Sequence, residues 1–146
     1  MNLIELKLKL FSNTDADRAR SRKCLLWFLE ALVQANRQWL KQHKDTPALY
    51  QAGVVYKPEK GTEIWQDIPN IINSGYGDCE DLASWRTAEL QSIGVAARPY
   101  IKWRRLKNSW MYHATVKLPN GKIEDPSLAL GMNNHPIVSK PVFTTP

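Results

Sequence analysis

Three residue types in this chain could together carry out acyl chemistry: a cysteine, a histidine and an aspartate. Cys79 stands where the glycine-containing segment 75–78 runs into a predicted helix, and His113 and Asp125 follow it along the chain. A thiol is nucleophilic only as the thiolate, and a helix N-terminus is one of the few local settings that stabilise this anion. His113 would take the thiol proton and return it to the leaving group, while Asp125 would orient the imidazole. The set predicts a thiol hydrolase or acyltransferase.

The helix that begins at Cys79 is indicated by its two ends. Asp78 is a favourable N-cap, Asp81 is its capping-box partner, and Gly94 supplies a stop signal. Packing of one helical face against a core would fix the position of the thiol. The residues that share this arc of the helical wheel with Cys79 are Leu82, Ala83, Arg86, Leu90 and Ile93.

The carboxylates around the cysteine oppose its activation. Asp78, Glu80 and Asp81 flank Cys79, and nearby carboxylates raise a cysteine pKa just as the helix dipole lowers it. If Asp78 is used in capping while Glu80 and Asp81 point to solvent, screening weakens their effect. An imidazolium in direct contact would be screened less, so the chemistry requires His113 as a partner.

The relative placement of His113 and Asp125 depends on the turn between them. The sequence Pro-Asn-Gly at 119–121 suits a type I turn followed by a left-handed residue, which gives a three-residue hairpin loop and pairs Leu118 with Lys122. In this register His113 and Asp125 are diagonal neighbours on one face, roughly 7–8 Å apart at the backbone. A carboxylate oxygen could then reach an imidazole nitrogen. A two-residue Asn-Gly loop would instead put the two side chains on opposite faces.

Acyl transfer also needs hydrogen-bond donors for the oxyanion of its tetrahedral intermediate. The backbone N–H of Cys79 is one natural donor. A second could come from Trp65, Gln66 or Tyr76, and the spacing singles out none of them. We expect no metal and no cofactor, because the chain offers no close pair of cysteines or histidines to begin a ligand set.

The other cysteine and the other histidines lack such a setting. Cys24 lies within the apolar run 24–29 and is interpreted as a small core residue. We expect Cys24 and Cys79 to be two thiols rather than a disulfide. His43 ends a helix rich in charges and His135 lies in an Asn-rich, proline-bounded loop, so both are expected to be solvated.

The sequence around these residues resembles a known family. The segment 77–83, with the sequence Gly-Asp-Cys-Glu-Asp-Leu-Ala, is followed by Tyr112-His113 and by the Glu-Asp-Pro-Ser sequence at 124–127. This pattern is similar to the core of the transglutaminase-like superfamily, which is related to papain-like thiol enzymes. The resemblance implies a catalytic cysteine on a helix, with histidine and aspartate on adjacent strands, and the roles carry over to Cys79, His113 and Asp125.

A longer pattern over residues 45 to 132 resembles small transglutaminase-like proteins encoded in phages and prophages. It includes Trp65, the segment around Cys79 and the Leu-Gly-Met sequence at 130–132. The chain departs from secreted and animal members because no aromatic residue follows His113-Ala114 and no acidic calcium-binding stretch is present. The resemblance therefore implies a mechanism and no calcium requirement, and it leaves the substrate open.

The expected fold is α+β, papain-like or transglutaminase-like, with a long N-terminal helix and the catalytic helix packed on an antiparallel β-sheet. A single domain is predicted over 1–132 and an extended tail over 133–146. The long helix is predicted over 15–42, with a core face formed by Leu25, Phe28, Leu32, Ala35 and Trp39. A shorter helix is predicted near 63–72. Strands are predicted at 4–10, 96–104, 111–118 and 122–125, and an extended segment is predicted around 54–56.

Composition and charge limit the classes of protein to which the chain could belong. A chain of 146 residues with 43% hydrophobic content can enclose one core without staples. The sequence has no secretory leader pattern and no apolar run of about 18 residues. We therefore expect no membrane association and a cytoplasmic protein, in the host cytoplasm or the virion if the chain is phage-encoded.

The net charge of +6 and the pI near 9.4 support a rival function. Basic and aromatic side chains alternate over 98–110, which is a mixture that nucleic-acid grooves use. The same segment could attract acidic peptides or a virion partner. A third alternative is a phage structural or assembly protein whose site is dormant. The main prediction is a cysteine-dependent enzyme that acts on an amide or isopeptide bond of a peptide or protein through a thioester, as a peptidase, amidase or transglutaminase-type acyltransferase.

Overall fold

The computed structural model describes residues 4–134. His135 and nearly all of the predicted tail 133–146 lie outside the described residues. The helices are α1 (Asp15–Gln42), α2 (Ile68–Ser74), α3 (Cys79–Ser92) and α4 (Pro126–Ala129), with 3-10 turns at Leu49–Gln51 and Met132–Asn134. The strands are β1 (Val55–Tyr56), β2 (Tyr76–Gly77), β3 (Arg98–Arg105), β4 (Trp110–Lys117) and β5 (Ile123–Glu124).

Helix α1 has the predicted bounds. Thr14 caps it and forms a capping box with Asp17. Of the predicted core face only Leu25 is buried, because the buried residues of the helix are Ser21, Leu25, Leu29, Val33 and Asn36. The prediction followed the largest apolar side chains of the helix. The helix instead turns several smaller or polar residues toward the interior. Trp27 is therefore 62% exposed, and Cys24 is half-buried rather than a core residue.

Helix α3 lies at the centre of the molecule. It packs against α1 and against β4, so nearly all residues of its first three turns are buried. The chain leaves the helix through Gly94, which has a φ of +86°, a value that favours glycine. Gly94 N–H and Val95 N–H donate to carbonyl oxygens of Gln91 and Leu90, which is a Schellman motif. Ile93, which we predicted on the packed face, is the exposed C-cap.

Two sheets flank the helices. Strands β3, β4 and β5 form the predicted antiparallel sheet in that order. A second sheet pairs β1 with β2 in parallel and was not predicted, because two-residue strands carry no periodic signal. Residues 4–10 form no strand in the described part of the chain, and Ile4 is 88% exposed. Their alternating pattern was misleading because a strand also needs a partner.

The start of α2 differs from the prediction. Asp67 caps the helix and Pro69 occupies its first turn, so the helix begins at Ile68 rather than near residue 63. The buried Asn36 of α1 accepts the Ile68 N–H at 2.9 Å and donates to Ser84 Oγ of α3 at 3.3 Å. One amide side chain thus connects the three helices.

Candidate active site

Cys79 is the first residue of α3 and is only 4% exposed. Asp78 and Asp81 form the predicted capping box across it. A side chain at the preceding Gly77 would come within 3.0 Å of Asp81 Cβ, so glycine is needed for the strand to enter the helix. Cys79 belongs to the same buried cluster as Tyr112 and Ala114, which flank the histidine of β4.

His113 and Asp125 are in contact, with Nε2 and Oδ2 separated by 2.8 Å. The three-residue loop is confirmed, because Leu118 N–H donates to Lys122 O and Gly121 has a φ of +85°. The loop continues into the pairing of Val116 with Glu124. This register carries Asp125 to the face of His113, as predicted from the turn.

Asp125 has a second structural task that the sequence did not indicate. Strand β5 ends at Glu124, and Asp125 caps α4 by accepting the N–H groups of Ser127 and Leu128 at its Oδ1. Its Oδ2 remains for His113. The carboxylate is therefore fixed by the backbone on one side and orients the imidazole on the other. Nδ1 is the imidazole nitrogen that Asp125 does not contact.

Glu80 does not point to solvent, contrary to the sequence-based interpretation. It is fully buried, because α3 is covered on both sides. Cys79 Sγ donates to Glu80 Oε2 at 3.2 Å, and the Tyr112 hydroxyl donates to Glu80 Oε1. Burial, followed by the carboxylates of Glu80 and Glu63, raises the pKa of Tyr112 well above its ordinary value. Tyr112 thus stays protonated and remains a donor.

Asp81 is likewise buried rather than solvent-facing. It accepts the Gln66 backbone N–H at 2.7 Å, the Gln66 side-chain amide at 3.2 Å and the Asp78 N–H at 3.2 Å. Burial and the charge of Asp78 outweigh these hydrogen bonds and raise the pKa of Asp81 to about 8. Ionising Asp81 in the folded protein is therefore energetically unfavourable.

The three oxyanion candidates differ in what their donors already bind. Gln66 donates its side-chain N–H groups to Asp81 and to Tyr76 O, in addition to its backbone N–H. The Tyr76 ring lies 4.4 Å from Lys57 Nζ at the surface. Trp65 packs edge-on against Phe28 beside the cluster that contains the thiol, and its indole N–H makes no hydrogen bond among residues 4–134. Gln66 is therefore the candidate whose donors are already used, while the Trp65 indole N–H and the Tyr76 hydroxyl both remain candidates.

A partly exposed ion-pair network connects α3 to the hairpin. Arg86 Nε lies 2.6 Å from Glu124 Oε1, and its NH1 lies 3.2 Å from Glu89 Oε2. The Tyr50 hydroxyl also donates to Glu124 Oε1, at 2.6 Å. Because Glu124 immediately precedes Asp125, the network positions that carboxylate. The sequence placed Arg86 on the packed face, but long-range ion pairs leave no periodic pattern.

Two groups of side chains could hold a cation. Asp78, Cys79 and Glu80 bring their ligand atoms within 4.8 Å of one another, as do Glu59, Glu63 and Asp78. Carboxylate oxygens suit hard divalent cations, but such clusters also occur without an ion. The predicted absence of a metal and of a cofactor stays a prediction. His43, which we expected to be solvated, is instead half-buried and stacks on Trp39 at 3.6 Å.

The chain was compared with protein-family models, with curated proteins and with solved structures. The family model of the transglutaminase-like superfamily matches residues 31–122. No curated protein and no solved structure matches the chain. Among the described residues, the helices are too short or too polar to cross a membrane.

Proposed function

Since the chain belongs to the transglutaminase-like superfamily, we propose that it is a cysteine-dependent enzyme that acts on an amide or isopeptide bond through a thioester. The observation that carries the proposal is the 2.8 Å contact between His113 Nε2 and Asp125 Oδ2. It supplies an oriented imidazole on the strand that packs against the helix of Cys79. The roles of these three side chains are part of the proposal.

The reaction would proceed in two halves. His113 Nδ1 takes the proton of Cys79, and Sγ forms a bond to the acyl carbon of the substrate. The carbon–nitrogen bond then breaks as His113 returns the proton to the leaving amine. Water or a second amine, deprotonated by His113, attacks the thioester and releases Sγ. Asp125 stabilises the imidazolium in both halves.

The oxyanion would lie near the N-terminus of α3. The backbone N–H of Cys79, in the first turn of α3, is one donor. The Trp65 indole N–H or the Tyr76 hydroxyl supplies the second, because the donors of Gln66 are already used. Before the first half of the reaction the thiol must leave Glu80 Oε2, to which it donates at rest.

A dormant structural or assembly protein is the second candidate. It is favoured by one observation, the hydrogen bond that directs the nearly buried Cys79 thiol to Glu80. A phage origin and a location in the host cytoplasm or virion stay predictions.

An activated ester tests the proposal without knowledge of the natural substrate. With p-nitrophenyl acetate, the wild type and Cys24→Ser should release a burst of nitrophenolate, and mass spectrometry should find the acetyl group on Cys79. Cys79→Ser and His113→Ala should lose the burst. An equal burst from Cys79→Ser would contradict the proposed nucleophile. A correctly folded wild type that shows no burst would favour the dormant protein.

A further inference from the structure

Basic side chains surround His113 on one face of the sheet. Side chains alternate between the two faces of a strand, and the pairing places Lys102 directly opposite His113, and Arg98 opposite Lys117. Arg104 extends the same face by alternation. We call Arg98, Lys102, Arg104 and Lys117 the basic face. The opposite side of β3 and β4 is apolar and packs into the core.

The positive charge of the basic face is not neutralised within the described chain. None of the ion pairs among residues 4–134 involves these four side chains. Three of the four are exposed, and Lys117 is half-buried with its Nζ 5.4 Å from the Tyr100 ring. Asp125 reaches this face, but its Oδ2 is held by His113. The face is therefore complementary to an anionic ligand.

We propose that the acyl substrate is an acidic segment of polypeptide whose carboxylates lie on the basic face. This inference rests on the function proposed above, because it places the charged segment next to the histidine of the reaction. Same-side residues of a strand repeat about every 7 Å, and an extended peptide has the same repeat. Glutamates at alternate positions of such a peptide would match the spacing of Lys102 and Arg104.

The aromatic side chains favour a peptide over a nucleic acid. Single-stranded nucleic acids need open rings on which bases stack. Trp103 Nε1 instead donates to Arg18 O, and its ring packs edge-on against Tyr112 at 6.1 Å. The Trp110 ring is covered by the Arg18 guanidinium at 3.9 Å. Both tryptophan rings of the predicted nucleic-acid groove are thus engaged within the protein itself.

Binding of labelled peptides tests the inference. The probes are a short glutamine-containing peptide with glutamate at alternate positions and its serine-substituted neutral counterpart, measured by fluorescence anisotropy on Cys79→Ser. The acidic peptide should bind more tightly, and added salt should reduce the difference. The double variant Lys102→Gln/Arg104→Gln should lose about tenfold in affinity for the acidic peptide, as expected for two surface charge contacts.

A matched control distinguishes the effect of the basic face on peptide binding from the effect of the net charge. Lys41→Gln/Lys44→Gln removes the same charge near the far end of α1, where both side chains are exposed, and should bind like the parent. Equal binding of the two peptides would overturn the inference, as would an equal loss in the control variant. Tighter binding of single-stranded DNA, lost in Lys102→Gln/Arg104→Gln, would also overturn it and assign the face to nucleic acid.

This measurement does not use the thiol. The ester burst tests the nucleophile, whereas peptide binding tests the charged surface, so failure of the one is distinguishable from failure of the other. Far-UV circular dichroism and urea unfolding check that the Lys102→Gln/Arg104→Gln variant keeps its fold.

Discussion

The immediate neighbours of the Cys79 sulfur determine how easily it ionises. Its hydrogen bond goes to Glu80, a carboxyl group excluded from water. A charged carboxylate beside a thiol disfavours the thiolate, whereas the N-terminus of α3 favours it. Tyr112 offsets part of the carboxylate charge by donating to the other oxygen. Reactivity at this residue is thus a balance between buried groups rather than a property of the helix end alone.

Replacing Glu80 with glutamine should shift that balance. Glu80→Gln keeps the acceptor for Tyr112 and removes the negative charge beside the sulfur, so alkylation of Cys79 should begin at lower pH. The measurement is the rate of iodoacetamide labelling across pH, with the exposed Glu30→Gln on α1 as a matched control. An unchanged midpoint, or one displaced to higher pH, would show that Glu80 is not charged beside the thiol.

Asp81 should make stability depend on pH in a predictable direction. Its pKa in the folded protein is about 8, raised by burial and by Asp78, whereas an unfolded aspartate titrates near pH 4. The folded state therefore binds the extra proton between these values, and stability falls as pH rises through the window, by up to about 1.4 kcal/mol per pH unit.

The comparison with Asp81→Asn isolates this group. Denaturant unfolding of both proteins should show the wild type losing stability relative to the variant as the pH rises from 5 toward 8, then levelling off. A difference that stays constant over this window would mean that Asp81 is ionised in the folded protein, as the three hydrogen bonds that it accepts would alone favour.

At the scale of elements, local signals predicted some features and failed at others. The Thr14 cap defined the start of α1, and the Pro-Asn-Gly turn fixed the register that joins His113 to Asp125. Both depend on residues adjacent in sequence. The buried face of α1, the parallel pairing of β1 with β2 and the inward direction of Glu80 depend on distant partners, so no local pattern could reveal them.

Asn36 provides a test of how the helices are joined. Asn36→Ala removes the acceptor for the buried Ile68 N–H and the donor to Ser84. Leaving a buried group unsatisfied should reduce the free energy of unfolding by about 2 kcal/mol. The exposed Gln38→Ala on the same helix is the control and should change it by less than about 0.5 kcal/mol. Equal effects in urea unfolding would show that the Asn36 contacts contribute no specific stability.

At the scale of the whole molecule, three separate segments must converge on one site. The family match ends at residue 122, before Asp125, and the hairpin supplies this carboxylate from beyond the match. Arg86 and Glu124 hold the hairpin against α3. The basic face then extends from His113 along β3, so four basic side chains lie on the same face of the sheet as the candidate histidine. The composition predicts the sign of the charge, and the strand register shows which face of the sheet carries these side chains.

The most direct test of the central claim is the pH dependence of Cys79 alkylation with and without the histidine. Mass spectrometry separates Cys79 from Cys24, and Cys24→Ser is the control for the second thiol. An imidazole-assisted thiol should react with iodoacetamide well below pH 8, and His113→Ala should abolish that early reaction. An ordinary thiol profile at Cys79, unaffected by His113→Ala, would contradict the claim that these residues act together.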